Sequence, residues 1–179
     1  MKRKLEFIVL ATGILSLVYI NLFALRASRL ADTGREVLLE LAPLDPLSLV
    51  QGQYMQLEFA IEDSYPLKEP VFEEVDRVVL RLDGQNVGRV ERPYQGGPLA
   101  KGEVLFEASV DVNEAVTEET LENEYEGTYR VRLRQRSFLF EENQQDRYQY
   151  ARLGIFRVKE NGDYVLVDLA DKDFRPLTP

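Results

Sequence analysis

The sequence predicts a mainly β protein, an antiparallel sandwich or partly open barrel preceded by a single N-terminal transmembrane helix. Three observations predict it. An uncharged apolar run of 19 residues stands near the start. From residue 35 onward apolar side chains recur at every second position, the period of half-buried strands. Turn-forming clusters interrupt that alternation roughly every 8–15 residues, and no long amphipathic helix separates the runs, which argues against a parallel α/β sheet.

The elements follow in order. Residues 1–6, "MKRKLE", form a basic end. Residues 7–25, "FIVLATGILSLVYINLFAL", carry no charge; as a helix they would measure about 28 Å, close to the ~30 Å hydrocarbon core of a bilayer. Lys2, Arg3 and Lys4 favour keeping the leading end in the cytoplasm. A cleaved signal peptide fits less well. Its apolar region would be shorter, and the available ends, "LFALRAS" and "SRLAD", place Leu25 or Arg29 where a small residue is needed. The expectation is an uncleaved signal anchor in the cytoplasmic membrane, with residues 26–34 as a polar spacer and 35–179 as a domain outside the cytoplasm.

Within that domain, "REVLLELAP" puts Val37, Leu39 and Leu41 on one face, and Pro43 ends the run. "QYMQLEFAI" places Met55, Leu57, Phe59 and Ile61 on one face and Tyr54, Gln56 and Glu58 on the other. "DRVVLRLDG" and "QNVGRVERP" flank Asp83-Gly84, with Gln85 and Asn86 following, and mark a hairpin. "EVLFEASVDV" reads as one strand, Val104 to Val112 inward and Glu103, Glu107 and Asp111 outward. Residues 113–127 are acidic and read as a surface loop. "YRVRLRQRS" puts Arg130, Arg132, Arg134 and Arg136 on one face of a strand, where cross-strand pairing with Glu103, Glu107 and Asp111 is the expected arrangement and a basic docking face the alternative. "QQDRYQYARLG" reads as a short helix, with Tyr148 and Arg152 one turn apart beside Gln145. A closing hairpin turns at Glu160-Asn161-Gly162-Asp163.

Composition removes several chemistries. The 179 residues contain no cysteine and no histidine. Disulfides, thiolate sites, an imidazole base and an ordinary zinc site are therefore out of reach. Residues 1–35 balance at +4, which leaves −13 of the total −9 on residues 36–179. An acidic domain of this kind repels nucleic acid phosphates.

The stretch "LLELAPLDPLSLVQGQYMQLEFAI" resembles the GDYxxLxY family of bacterial membrane-anchored proteins. The residues that carry the likeness are Pro43, Asp45, Pro46, Leu49, Gly52, Tyr54, Leu57 and Phe59. It continues in "FLFEENQQDRYQYARLGIFRV" through Phe138, Phe140, Glu141, Tyr148, Ala151, Arg152, Gly154, Phe156, Arg157 and Val158. The resemblance implies a single-pass anchor and a role connected with multi-pass membrane proteins. Two positions depart from the family pattern: its aspartate is Gln53 here, and its last tyrosine is Phe59.

Those departures weigh on function. A carboxamide at Gln53 can hydrogen-bond in a turn but cannot serve as an acid or base, and Phe59 suits a core position. The motif therefore reads as a turn leading into a packed strand. The expected function is non-enzymatic, an interaction or scaffold domain docking on an integral membrane protein, without cofactor or metal. Contacts are expected from the loop with Asp45, Ser48, Gly52 and Gln53, from the motif strand with Tyr54, Leu57 and Phe59, and from Glu141, Tyr148 and Arg152. One alternative is a membrane-tethered hydrolase with Ser48 as nucleophile and Lys68 or Lys101 as base, although neither lysine lies in an apolar run that would lower its pKa. Another is a binder of a small ligand or envelope polymer, which requires a cavity. Carboxylate pairs drawn from Asp45, Asp63, Glu141 or Glu142, and a calcium patch at Asp168, Asp171 and Asp173, are weaker alternatives, since acidic residues are plentiful throughout.

Overall fold

The computed structural model describes residues 2–42, 50–51, 54–67, 75–114, 127–141 and 144–178. Among the described residues, one long helix, α1 (Lys2–Thr33), leads into twelve strands. These are β1 (Arg35–Glu40), β2 (Val50–Gln51), β3 (Tyr54–Gln56), β4 (Ser64–Leu67), β5 (Arg77–Leu82) and β6 (Gly88–Pro93), then β7 (Glu103–Glu107), β8 (Ser109–Glu114), β9 (Gly127–Arg132), β10 (Ser137–Leu139), β11 (Leu153–Val158) and β12 (Tyr164–Ala170). A single helical turn, α2 (Gln145–Tyr148), precedes β11. The protein is mainly β, as the alternation predicts.

The strands form four open antiparallel sheets of three: β1-β11-β12, β10-β3-β2, β4-β9-β8 and β6-β5-β7. Both expected hairpins are present. Leu82 faces Gly88 across the first, where Asp83 Oδ1 accepts the N–H groups of Gln85 and Val87 at 2.8 and 3.0 Å. Val158 faces Tyr164 across the second.

Two runs that read as single strands are divided between sheets. "EVLFEASVDV" breaks at Ala108, so that β7 pairs with β5 and β8 with β9. The motif run divides as well. Tyr54–Gln56 pairs with β2 and β10, while Phe59 bridges to Leu41 and Ala60 N–H donates to the Glu40 carbonyl. Each switch turns a corner between sheets without losing the inward parity of its side chains. The strand period thus outlasts the strand. The acidic segment begins later than the composition implies, because β8 extends to Glu114; residues 115–126 lie outside the described residues.

The main core holds Val37, Leu39, Met55, Leu57, Phe59, Ile61, Val78, Leu80, Phe106, Val131, Phe156 and Leu169, all buried. Alternation predicts the first six and Phe106 from the sequence. Leu38 and Ile155 belong instead to a smaller cluster with Val87, Leu153 and Ala170, so β1 and β11 are apolar on both faces. The C-terminal segment folds back beside it, with Leu177 N–H donating to Leu169 O at 2.8 Å.

The helix runs on through the segment expected as a spacer and ends on the domain. Leu30 is buried, and the end of α1 contacts β11 and β12. Gly34 permits that contact, since a Cβ there would lie 2.9 Å from Arg157 Cβ and 2.8 Å from the Leu30 carbonyl oxygen. Among the described residues, no helix is long and apolar enough to cross a membrane. The span expected at 7–25 is therefore taken up below as a proposal.

Glu103 corrects the expectation that it faces solvent. Its side chain is only 3% exposed, because it lies under two guanidinium groups: Arg81 and Arg92 each reach it at 3.0 Å. The Ala100 N–H adds a third donor at 2.9 Å. The hydrogen bond from Arg92, helped by the Ala100 N–H and both arginine charges, holds its carboxyl below the ordinary value of 4.5 against the opposing effect of burial. A depressed carboxylate pKa stabilises the fold above the unfolded value and loses that contribution as pH falls through the folded one. The melting-temperature gap between the native protein and Glu103→Gln is therefore expected to be constant at neutral pH and to shrink below about pH 4.5. A gap that stays constant into that acid range would refute the linkage.

Candidate functional site

The two stretches that resemble one family are far apart in sequence and meet in the core. The Phe59 ring packs edge-on against Phe156 with centroids 5.3 Å apart. Gly154 lies beneath them: a Cβ there would stand 2.8 Å from Phe59 Cε1 and 3.0 Å from Phe156 Cε2. Only a residue without a side chain leaves room for both rings. Leu57 is fully buried beside them. Leu57 and Phe59, expected as candidate contacts, are thus core residues of the kind the parity argument describes.

The other candidates separate. Tyr54 is exposed and faces Leu139 across β3 and β10, forming an exposed aromatic–aliphatic pair. Asp45, Ser48, Gly52 and Gln53 lie outside the described residues, as do Lys68 and Glu142. Glu141 is exposed just before α2. Tyr148 is buried between Phe138 and Phe140, with ring centroids at 5.3 and 5.0 Å. Arg152 is not on a shared helical face with it. The helix ends at Tyr148, and Arg152 is exposed beyond a turn.

The arginine stripe is not one strand either. β9 ends at Arg132, and the chain crosses to the sheet of β3 and begins β10 at Ser137. Leu133 N–H, which leaves the ladder there, donates to Glu62 Oε1 at 2.9 Å. The same carboxylate accepts the Phe59 N–H at 3.2 Å and pairs with Arg136 at 2.8 Å. Arg132 pairs with Asp111 and Arg134 with Glu107, the latter at 2.7 Å. Glu107 and Asp111 thus act as expected, while Glu103 is occupied by Arg81 and Arg92. Arg130 forms no ion pair among the described residues.

A cavity of about 360 Å³ opens beside this junction, lined by Ala42, Glu58, Phe59, Glu62, Asp63, Arg130, Arg132 and Arg136. A larger cleft of about 780 Å³ lies at the foot of α1, where Gly34, Val104 and Val158 form part of its lining.

Compared with known proteins, the chain matches the family described as "GDYXXLXY protein" over residues 16–169. It belongs to the GDYXXLXY family. No curated protein and no solved structure matches the chain. In this family member the motif's described residues are divided between surface and core: Tyr54 outward, Leu57 and Phe59 inward. The family's second segment supplies Gly154 and Phe156 to the same contact.

Other chemistry is limited by its surroundings. Burial, then the neighbouring Tyr65, pushes the Tyr129 phenol up to about 12. Burial also raises Tyr164, so neither phenol supplies a base at neutral pH. Asp168 accepts the Thr178 hydroxyl at 2.6 Å, and Asp171 accepts the Asp173 and Arg175 N–H groups at 2.8 and 3.0 Å. These carboxylates tie down the C-terminal turn, and among the described residues no group of side chains has a metal-binding arrangement. Lys101 is exposed next to the Gly102 turn.

Sequence reasoning missed Glu62. It follows the last inward position of the motif run and resembles any acidic residue in a turn. Its partners Leu133 and Arg136 lie 71 and 74 positions away, and no local pattern points to them.

Proposed function

We propose that this GDYXXLXY protein is a membrane-anchored interaction or scaffold domain, held outside the cytoplasm and docked on an integral membrane protein. The observation that carries the reading is the surface of α1. Leu17, Val18, Tyr19 and Ile20 are consecutive and 49–71% exposed, so apolar side chains point out on every side of the helix. A helix that is apolar all round requires either a protein core or lipid around it, and among the described residues none of the sheets covers this part. The uncharged run of 19 residues and the basic leading end agree with lipid. Asn21 fits as well, since its side-chain amide donates to the Leu17 carbonyl at 2.8 Å within the helix.

Because the helix continues to Thr33 and is seated on β11 and β12, the anchor also orients the domain. The exposed Tyr54–Leu139 pair is the surface we assign to the partner. The test is crosslinking in native membranes after an alkaline wash. The protein is expected to stay in the membrane fraction and to crosslink to one specific integral membrane protein, and the double variant Tyr54→Ser, Leu139→Ser is expected to lose most of that product. Release by the wash would overturn the anchor. Recovery alone, or an undiminished product from the double variant, would overturn the docking surface.

A further inference from the structure

We propose that the cavity beside Arg130 binds a small zwitterion, an α-amino acid or short peptide whose carboxylate is taken by Arg130 and whose amine is taken by Glu58 and Asp63. The inference is independent of the membrane reading. It starts from the pairing of the arginine stripe. Three of its four guanidinium groups are held by acids, Arg132 by Asp111, Arg134 by Glu107 and Arg136 by Glu62. The fourth, Arg130, has no such partner among the described residues and faces the cavity. Ordinary surface pairing accounts for the other three and, among the described residues, leaves this one without an acid.

The opposite charge is available in the same space. Glu58 and Asp63 line the cavity and pair with no cation among the described residues, although Asp63 Oδ1 accepts the Ser64 N–H at 2.7 Å. Glu62 is satisfied by two backbone N–H groups and Arg136, so it acts as a fixed wall. Among the described residues, the charges lining the cavity without an ion-pair partner are therefore one guanidinium and two carboxylates. A simple anion would meet the two acids, and a simple cation would meet Arg130. A molecule carrying both signs satisfies both sides. Arginine offers a planar fork that matches a carboxylate at two points. About 360 Å³ lies at the small end of ligand pockets, which run from roughly 300 to 1,000 Å³, and suits an amino acid or dipeptide better than a polymer.

The walls are set by the fold rather than by a ligand. Glu58 and Phe59 come from the motif run as it changes sheets and Glu62 follows its end, and Arg130 and Arg136 flank the point where β9 gives way to β10. Both chain crossings are fastened by Glu62.

The experiment is calorimetric titration of the full-length protein in detergent with three probes: alanyl-alanine, its N-acetyl form and its C-terminal amide. The free dipeptide is expected to bind in the micromolar to millimolar range, and each blocked form about tenfold or more weakly, the loss of one charge-assisted hydrogen-bond pair. Arg130→Gln is expected to weaken the free dipeptide by a similar factor, while Arg89→Gln, an exposed arginine on β6, leaves it unchanged. Glu58→Gln keeps the fold under test honest: it should narrow the difference between free and N-acetyl forms while leaving the preference over the amide. No binding of the dipeptide at millimolar concentration would overturn the proposal. So would equal binding of all three probes, or binding unaffected by Arg130→Gln.

Discussion

Replacing Phe156 by alanine is expected to destabilise the protein by about 3–5 kcal/mol, the usual range for removing a fully buried aromatic ring. Phe156 is 0% exposed and touches three rings, Phe59 at 5.3 Å, Phe106 at 5.4 Å and Tyr164 at 5.3 Å. Its removal leaves a cavity whose walls come from different sheets, so no single element can shift to fill it. The edge-on contacts add to the area lost, at about 0.5–1.5 kcal/mol for each aromatic pair. Urea unfolding of the full-length protein reads the loss as a lower midpoint with an unchanged slope. A loss below about 1 kcal/mol would mean that the core collapses around the gap, and the interlock between the two family segments would not be the centre of the fold.

Glu62→Ala is expected to cost about 2–4 kcal/mol, and the reason differs. Two part-buried backbone donors, Phe59 N–H and Leu133 N–H, lose their acceptor, and an unmade bond of this kind costs about 1–3 kcal/mol. The ion pair adds little, because Arg136 is 49% exposed and screened by water. Glu62→Gln keeps one carbonyl oxygen and should lose roughly half as much. Amide hydrogen exchange at Leu133 should accelerate in the alanine variant before exchange does in the middle of β9. Equal stability of the alanine and glutamine variants, with unchanged exchange at Leu133, would show that the carboxylate is not what joins the two sheets.

The difference between these two residues shows how much was legible beforehand. Phe59 could be placed in the core from parity, because alternation is a local consequence of strand geometry, whereas Phe156 was legible only as a residue of the segment that carries the family likeness. Glu62 could not. Its partners are brought to it by the fold, and a carboxylate in a turn carries no mark of what it will bond. The same holds for Glu103, which the alternation assigns to solvent. Two arginines from β5 and β6 cover it and remove it from water. The arginine stripe was legible as a stripe, yet its division at Arg132 was not, since the inward–outward parity continues through the crossing.

The sequence by itself determined the mainly β class, the hairpins at Asp83 and Gly162, the inward set from Val37 to Ile61, the family, and the absence of thiol and imidazole chemistry. These are properties of single residues or of their immediate spacing. The tertiary structure decided where strands change sheets, that β1 is apolar on both faces, that α1 is seated on β11 through Leu30 and Gly34, and which acids pair with Arg132, Arg134 and Arg136. Each of these depends on segments far apart in the chain arriving at one place. Spacing cannot express that, because pairing energies are settled by distance in space and not by distance in sequence.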